Sequence, residues 1–157
     1  MRTKVNRPVN FLRNHIVLGI DKKSKARIVE ISDLNTNGVK WIACVETAPC
    51  GKIAFRALKT LGTVTTKPAS FEASVSSVVA KLLSHEADAG FIYETDVREN
   101  SLKLRGLRFE RAIRTDTVHQ IALLKRSNGS ASALAFYRYL TDSEAMKFLL
   151  ARGFNRP

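Results

Sequence analysis

Three short segments hold groups that can bind an anion without carrying charge themselves: Pro49-Cys50-Gly51, Ser74-Val75-Ser76-Ser77, and Tyr93. The first two each open a stretch with apolar residues at helical spacing. A helix start leaves unpaired backbone N–H groups at the positive end of its dipole, which makes it a ready anion seat. Tyr93 closes the apolar run Ala89-Gly90-Phe91-Ile92, and Thr95-Asp96 after it reads as another helix start. Open α/β sheets place ligands at such carboxyl strand ends, beside helix starts. Two helix N-termini and one phenol would then converge on one sheet edge. A plainer account is that every α/β protein has such helix ends and that Val75 is core.

Other chemistry has less support. His15, His85 and His119 lie far apart and share no ligand spacing. No Gly-x-Ser-x-Gly elbow, Walker loop or Gly-x-Gly-x-x-Gly turn occurs, so nothing points to an enzyme or to a bound cofactor. Cys44 and Cys50 are six residues apart. A zinc site would need two more ligands at suitable spacing, and none is evident. The pair is either two free thiols or a small-loop disulfide, and work outside the membrane would favour the disulfide.

The elements that must position these groups alternate. His15–Ile20 and Trp41–Val45 read as buried strands, separated by a basic loop, a short helix near Ser32-Asp33-Leu34 and an Asn37-Gly38 turn. Ala54, Ala57, Leu58 and Leu61 form a helical stripe that stops at Gly62. Lys67-Pro68 begins an extended stretch to Phe71. Val75, Val78, Val79, Leu82 and Leu83 form the next stripe. Strands are expected at Ala89–Tyr93, Leu107–Ile113 and Val118–Leu124. After an Asn128-Gly129 turn, Ser130 and Asp142 are N-cap candidates for helices over Ala131–Leu140 and Ser143–Arg152, with Gly153 beyond. This order predicts an α/β fold with a mainly parallel sheet.

The bulk numbers fit a globular chain: 157 residues, 45% hydrophobic and 25% charged. No apolar run approaches the roughly 20 residues a membrane helix needs. The apolar core near the N-terminus, Ile16 to Ile20, is too short for a secretory signal. The net charge is +12; residues 1–27 hold eight Lys/Arg against one acid and residues 98–114 hold six against two, so these segments carry nearly all of it. Such a patch suits nucleic acid or an acidic surface. Aromatics are not interleaved for base stacking, and charge is the only support for a nucleic-acid partner.

Several segments, in order, resemble the molybdate-binding solute receptors of ABC importers, members of the type II periplasmic-binding-protein family. The run Asn6-Arg7-Pro8-Val9-Asn10-Phe11-Leu12-Arg13-Asn14-His15-Ile16-Val17-Leu18 is similar to their crossover strand. Ala48-Pro49-Cys50-Gly51-Lys52-Ile53-Ala54-Phe55-Arg56-Ala57-Leu58 resembles their anion loop, a proline, a small residue and a glycine leading into a helix. Ser74-Val75 and Glu86–Asp96 match the next two site segments. His119–Lys125 is similar to the returning crossover, and Ala135–Leu140 with Ala151–Phe154 resembles the closing helices. The Cys44/Cys50 pair resembles actinobacterial members.

The resemblance implies two α/β lobes joined by crossover strands, with a tetrahedral oxyanion held in the cleft by neutral hydrogen bonds. The ligand would be molybdate or tungstate, with no cofactor and no metal site. The donors implied here are the backbone N–H groups of Cys50 and Val75 and the hydroxyl of Tyr93. The expected partner is the importer's membrane permease, and the expected location is outside the cytoplasmic membrane. A chain starting at Met1 without a signal would instead stay in the cytoplasm.

The family also has a signal peptide and serine-bearing loops in the first part of lobe one, which Met1–Arg7 does not supply. The expected fold is therefore one complete three-layer α/β lobe plus a fragment of the other, an N-terminally truncated receptor. Residues 1–17 would be a crossover, 18–119 the second lobe, and 120–157 the return crossover with the closing helices. Losing two donors at about 1.5–3 kcal/mol each would weaken affinity on the order of a hundredfold or more. The exposed tail helices could pair two copies as a homodimer. A remnant or interaction domain without ligand is the alternative function.

Overall fold

The computed structural model describes residues 7–110, 112–127 and 129–157. The N-terminal stretch Met1–Asn6, position 111 inside the expected Leu107–Ile113 strand, and Asn128 of the expected turn lie outside the described residues.

Six strands and five α-helices follow one another: β1 (Val9–Asp21), β2 (Trp41–Cys44), α1 (Pro49–Leu61), β3 (Ser70–Glu72), α2 (Val75–Leu83), β4 (Ala89–Tyr93), α3 (Glu94–Glu99), β5 (Leu104–Leu107), β6 (Asp116–Ile121), α4 (Ala131–Thr141) and α5 (Ser143–Ala151), among the described residues. Short 3-10 turns lie at Ile31–Asn35 and Lys125–Ser127. The chain divides into two compact units, one formed by His15–Asp116, the other by Met1–Asn14 with Thr117–Pro157. The chain passes from one to the other twice, once within β1 and once within β6.

The strand order is β3-β2-β4-β1-β5, with β6 also on β1. β2 is parallel to β3 and β4, whereas β1 is antiparallel to β4 and β5. The sheet is thus mixed, not mainly parallel. Apolar periodicity reports burial and carries no strand direction, so β1 could not be oriented from it. The crossovers β2-α1-β3 and β3-α2-β4 run in opposite directions along the sheet. Right-handed connections therefore put α1 and α2 on opposite faces, giving three layers.

The core of the His15–Asp116 unit follows from this layering. Trp41 and Phe91 meet edge to face at 5.7 Å, and Phe109 stacks on Phe91 at 5.7 Å. On the other face Gly90 lets α2 approach: a Cβ there would lie 2.7 Å from Val78 Cγ1. Leu107–Ile113 is not one strand. β5 ends at Leu107, and Phe109 reaches the core from irregular chain. β6 likewise starts at Asp116 and ends at Ile121, before the expected Leu124.

In the second unit, Arg13 and Asn155 exchange backbone hydrogen bonds at 2.8 and 2.9 Å. Ser130 Oγ caps α4 by accepting from Ala133 N, and Asp142 caps α5 by accepting from Ser143 N. Gly153 has φ +100°, a left-handed position that favours glycine past a helix end. α4 and α5 bury Ala145 and Met146 but leave Phe136, Tyr139 and Phe148 more than half exposed.

Candidate functional site

Because β2, β3 and β4 are mutually parallel, their carboxyl ends share one edge, in register Cys44↔Glu72 and Ile42↔Gly90. Each is followed by a helix. Cys50, Val75 and Tyr93 therefore come from three strand-to-helix junctions on the same edge of one unit.

The start of α1 is built from backbone. Ala48 is extended (φ −78°, ψ 147°), Pro49 sits in the first turn, and no side chain caps the helix. The first N–H to bond within it is that of Lys52, donating to Ala48 O at 2.9 Å. Cys50 and Gly51 N–H lie ahead of it as orphan donors. The Cys44–Cys50 disulfide, with a Cα separation of 6.0 Å, ties this turn to the end of β2. Gly51 is needed for the approach: a Cβ there would come within 2.6 Å of Cys44 O and closer still to Val45 O.

At α2, Ser74 Oγ accepts from Ser77 N at 3.2 Å, and Val78 N donates to Ser74 O at 3.3 Å. Among the described residues Val75 N–H, one turn earlier, finds no backbone acceptor. Tyr93 ends β4 and is half-buried. Its N–H donates to Asp96 Oδ2 at 2.9 Å, and among the described residues its hydroxyl donates to no acceptor. Burial and the Asp96 carboxylate push the Tyr93 phenol above its usual range, so it remains a proton donor at neutral pH. Asp96 is itself raised, mainly by burial, against the lowering effect of the Tyr93 N–H.

Two further acids belong to this edge and sequence reading missed them as parts of it. Glu72, at the end of β3, pairs with Lys81 Nζ at 2.6 Å; the Lys81 and Ser70 hydrogen bonds hold its carboxyl below the usual range. Glu94 pairs with Arg108. Partners nine and fourteen residues apart leave no local signal. Lys81 and Arg108 are thus occupied by carboxylates, and the three expected anion-binding groups are neutral. His85 lies on the opposite edge with φ +62°, its Nδ1 2.6 Å from buried Asp21 Oδ2. His119 packs edge-on against Phe154 in the other unit. Among the described residues no three His, Cys, Asp or Glu side chains cluster to hold a metal, and no helix is long and apolar enough to cross a membrane.

A three-layer lobe whose helices start at one sheet edge, reached by two chain crossings, defines a type II periplasmic-binding-protein-like fold. The chain belongs to the bacterial extracellular solute-binding protein family, whose model matches residues 2–155. Its members are solute-binding receptors. Among curated proteins it is similar to the molybdate-binding protein ModA of Mycobacterium tuberculosis (strain H37Rv), with 31% identity over 150 residues. That match covers 96% of this chain and 57% of the relative, so the chain spans little more than half its length. Among solved structures it resembles the Azotobacter vinelandii periplasmic molybdate-binding protein (TM-score 0.75, 21% identity, 96% of this chain and 68% of that one). It also resembles Peb3 from Campylobacter jejuni (TM-score 0.76, 13% identity, 99% and 71%). These two likenesses are of fold alone.

Proposed function

We propose that this chain binds a tetrahedral oxyanion, molybdate or tungstate, as the receptor component of an ABC importer. The donors are the backbone N–H groups of Cys50 and Val75 and the hydroxyl of Tyr93. The observation that carries this reading is their arrival at one carboxyl sheet edge as uncommitted neutral donors, while Lys81 and Arg108 are paired with acids. The ligand class rests on the ModA relatives. Neutral donors at fixed positions select by size and geometry, so sulfate should be excluded. Residues 18–119 would form the ligand lobe, with 1–17 and 120–157 as crossovers and closing helices. The partner is the importer's permease, and the disulfide supports work outside the cytoplasmic membrane. Molybdate or tungstate at millimolar concentration should raise the melting temperature of the chain, and equimolar sulfate should not. No shift with either metal oxyanion would overturn the reading.

A second reading has its own observation. Phe136, Tyr139 and Phe148 are 57–62% exposed on α4 and α5, an apolar face that suits association. An interaction domain without ligand would then be a homodimer on sizing and show no oxyanion effect.

A further inference from the structure

A groove of about 540 Å³ runs beside α1, from Glu46 before the helix to Gly62 after it. Its apolar wall is Trp41, Phe55, Leu58 and Val64. Its rim carries Lys52, Arg56 and Lys59, spaced four and three residues apart and therefore on one helix face. None of the three is in an ion pair among the described residues; Arg56 spends one N–H on Arg114 O at 3.4 Å. Like charges in such a row repel each other, so a row of this kind gains from an acidic partner. The wall is preorganised: Trp41 Nε1 donates to Thr66 Oγ1 at 3.1 Å, and that hydroxyl donates to Leu34 O at 2.9 Å. Beside the groove, Phe55 and Phe71 have ring centroids 6.0 Å apart, and Phe71, on the edge strand β3, is 53% exposed.

We infer that this groove is a docking site for an acidic, extended protein segment carrying an aromatic or aliphatic anchor. The occupant follows from the chemistry. Three cations without an ion pair ask for carboxylates, and the exposed ring of Phe71, resting on the partly buried Phe55, asks for an apolar side chain against it. A trough along a 13-residue helix is about 20 Å long, a shape that suits a chain better than a compact solute. Glu46, at one end, sets the direction by repelling carboxylates there. Its lining shares no residue with the oxyanion donors Cys50, Val75 and Tyr93.

The test selects a random peptide library displayed on phage against the whole chain, with the variant K52E/R56E/K59E as the counter-target. Selected peptides should be rich in Asp and Glu around an aromatic or leucine. A synthetic copy should change the fluorescence of Trp41, the single tryptophan, and bind more weakly at high salt. Affinity for the triple variant should fall at least about tenfold, and Phe71→Ser should weaken it separately. Melting temperatures and the milder Lys59→Glu variant separate lost binding from lost folding. No enriched motif, a motif without acids, or equal affinity for the folded charge variants would overturn the inference. So would displacement of the peptide by phosphatidylglycerol vesicles with equal effect on a charge-neutral peptide, which would make the surface a lipid site.

Discussion

Replacing Gly51 by alanine sets two effects against each other at the candidate site. In a helix interior alanine is the better residue by about 0.5–1 kcal/mol, so local propensity alone predicts stabilisation. The packing says otherwise. The new Cβ would lie 2.6 Å from Cys44 O and 2.7 Å from Val45 C, with Val45 O nearer still. These are backbone atoms at the end of β2, held by the Val45 N to Glu72 O bond at 2.8 Å and by the Cys44–Cys50 disulfide. No flexible side chain can yield, so the start of α1 must move away. Overpacking costs about 1–3 kcal/mol, and a contact this close to fixed backbone belongs in the upper half of that range, which leaves a net loss of about 1–2 kcal/mol after the propensity gain. At about 2–4 °C per kcal/mol for a chain of this size, the melting temperature should drop by about 2–8 °C. Calorimetry measures it, and a lower urea midpoint at unchanged m-value would confirm a stability change. Because the shift also displaces Cys50 N–H, oxyanion affinity should fall with it. A Gly51→Ala protein as stable as the parent, or more so, would refute the close-approach argument.

Tyr93→Phe keeps the ring and removes the donor; at about 1.5–3 kcal/mol for a hydrogen bond to a charge, molybdate affinity should fall about 10- to 160-fold by titration calorimetry. A change under about twofold would remove the hydroxyl from the site. Asp96 has a raised folded pKa, so the folded state binds its proton more tightly than the unfolded chain. Its ionisation therefore lowers stability as pH rises from the ordinary aspartate value through the raised one. Asp96→Asn should remove that decline and melt no lower than the parent at neutral pH; Glu72, whose shift has the opposite sign, is common to both proteins and cancels in the comparison. An Asp96→Asn protein with the parent's pH dependence would contradict the assignment. Reducing the Cys44–Cys50 bridge frees a small loop, for a loss of about 2 kcal/mol, or about 4–8 °C. An unchanged melting curve in reductant would show that the bridge contributes nothing.

The elements around the site were legible because their signals are local. The α1 and α2 stripes, the helix start at Ser74-Val75 and the apolar run into Tyr93 need only a few neighbouring residues to be read, and the structure places them where expected. Elements whose partners are remote were read less well. β1 begins at Val9, before the His15 start that apolar period gives though within the Asn6–Leu18 run that resembles a crossover strand, and its early residues are held in part by Asn155, far along the chain. Phe109 looked like strand because it is apolar, yet it serves the core from a loop. The Glu72–Lys81 and Glu94–Arg108 pairs, which occupy the cations Lys81 and Arg108, had no local spacing to betray them.

By itself, then, the sequence determined that Cys50, Val75 and Tyr93 stand at strand-to-helix junctions, because caps, turns and apolar period are properties of short segments. Only the tertiary structure decided that those junctions share an edge. That depends on β2, β3 and β4 pairing in parallel and on Gly51 allowing a helix against a strand's last carbonyls. Pairing direction and close approach are relations between distant residues, and one-dimensional periodicity does not encode them.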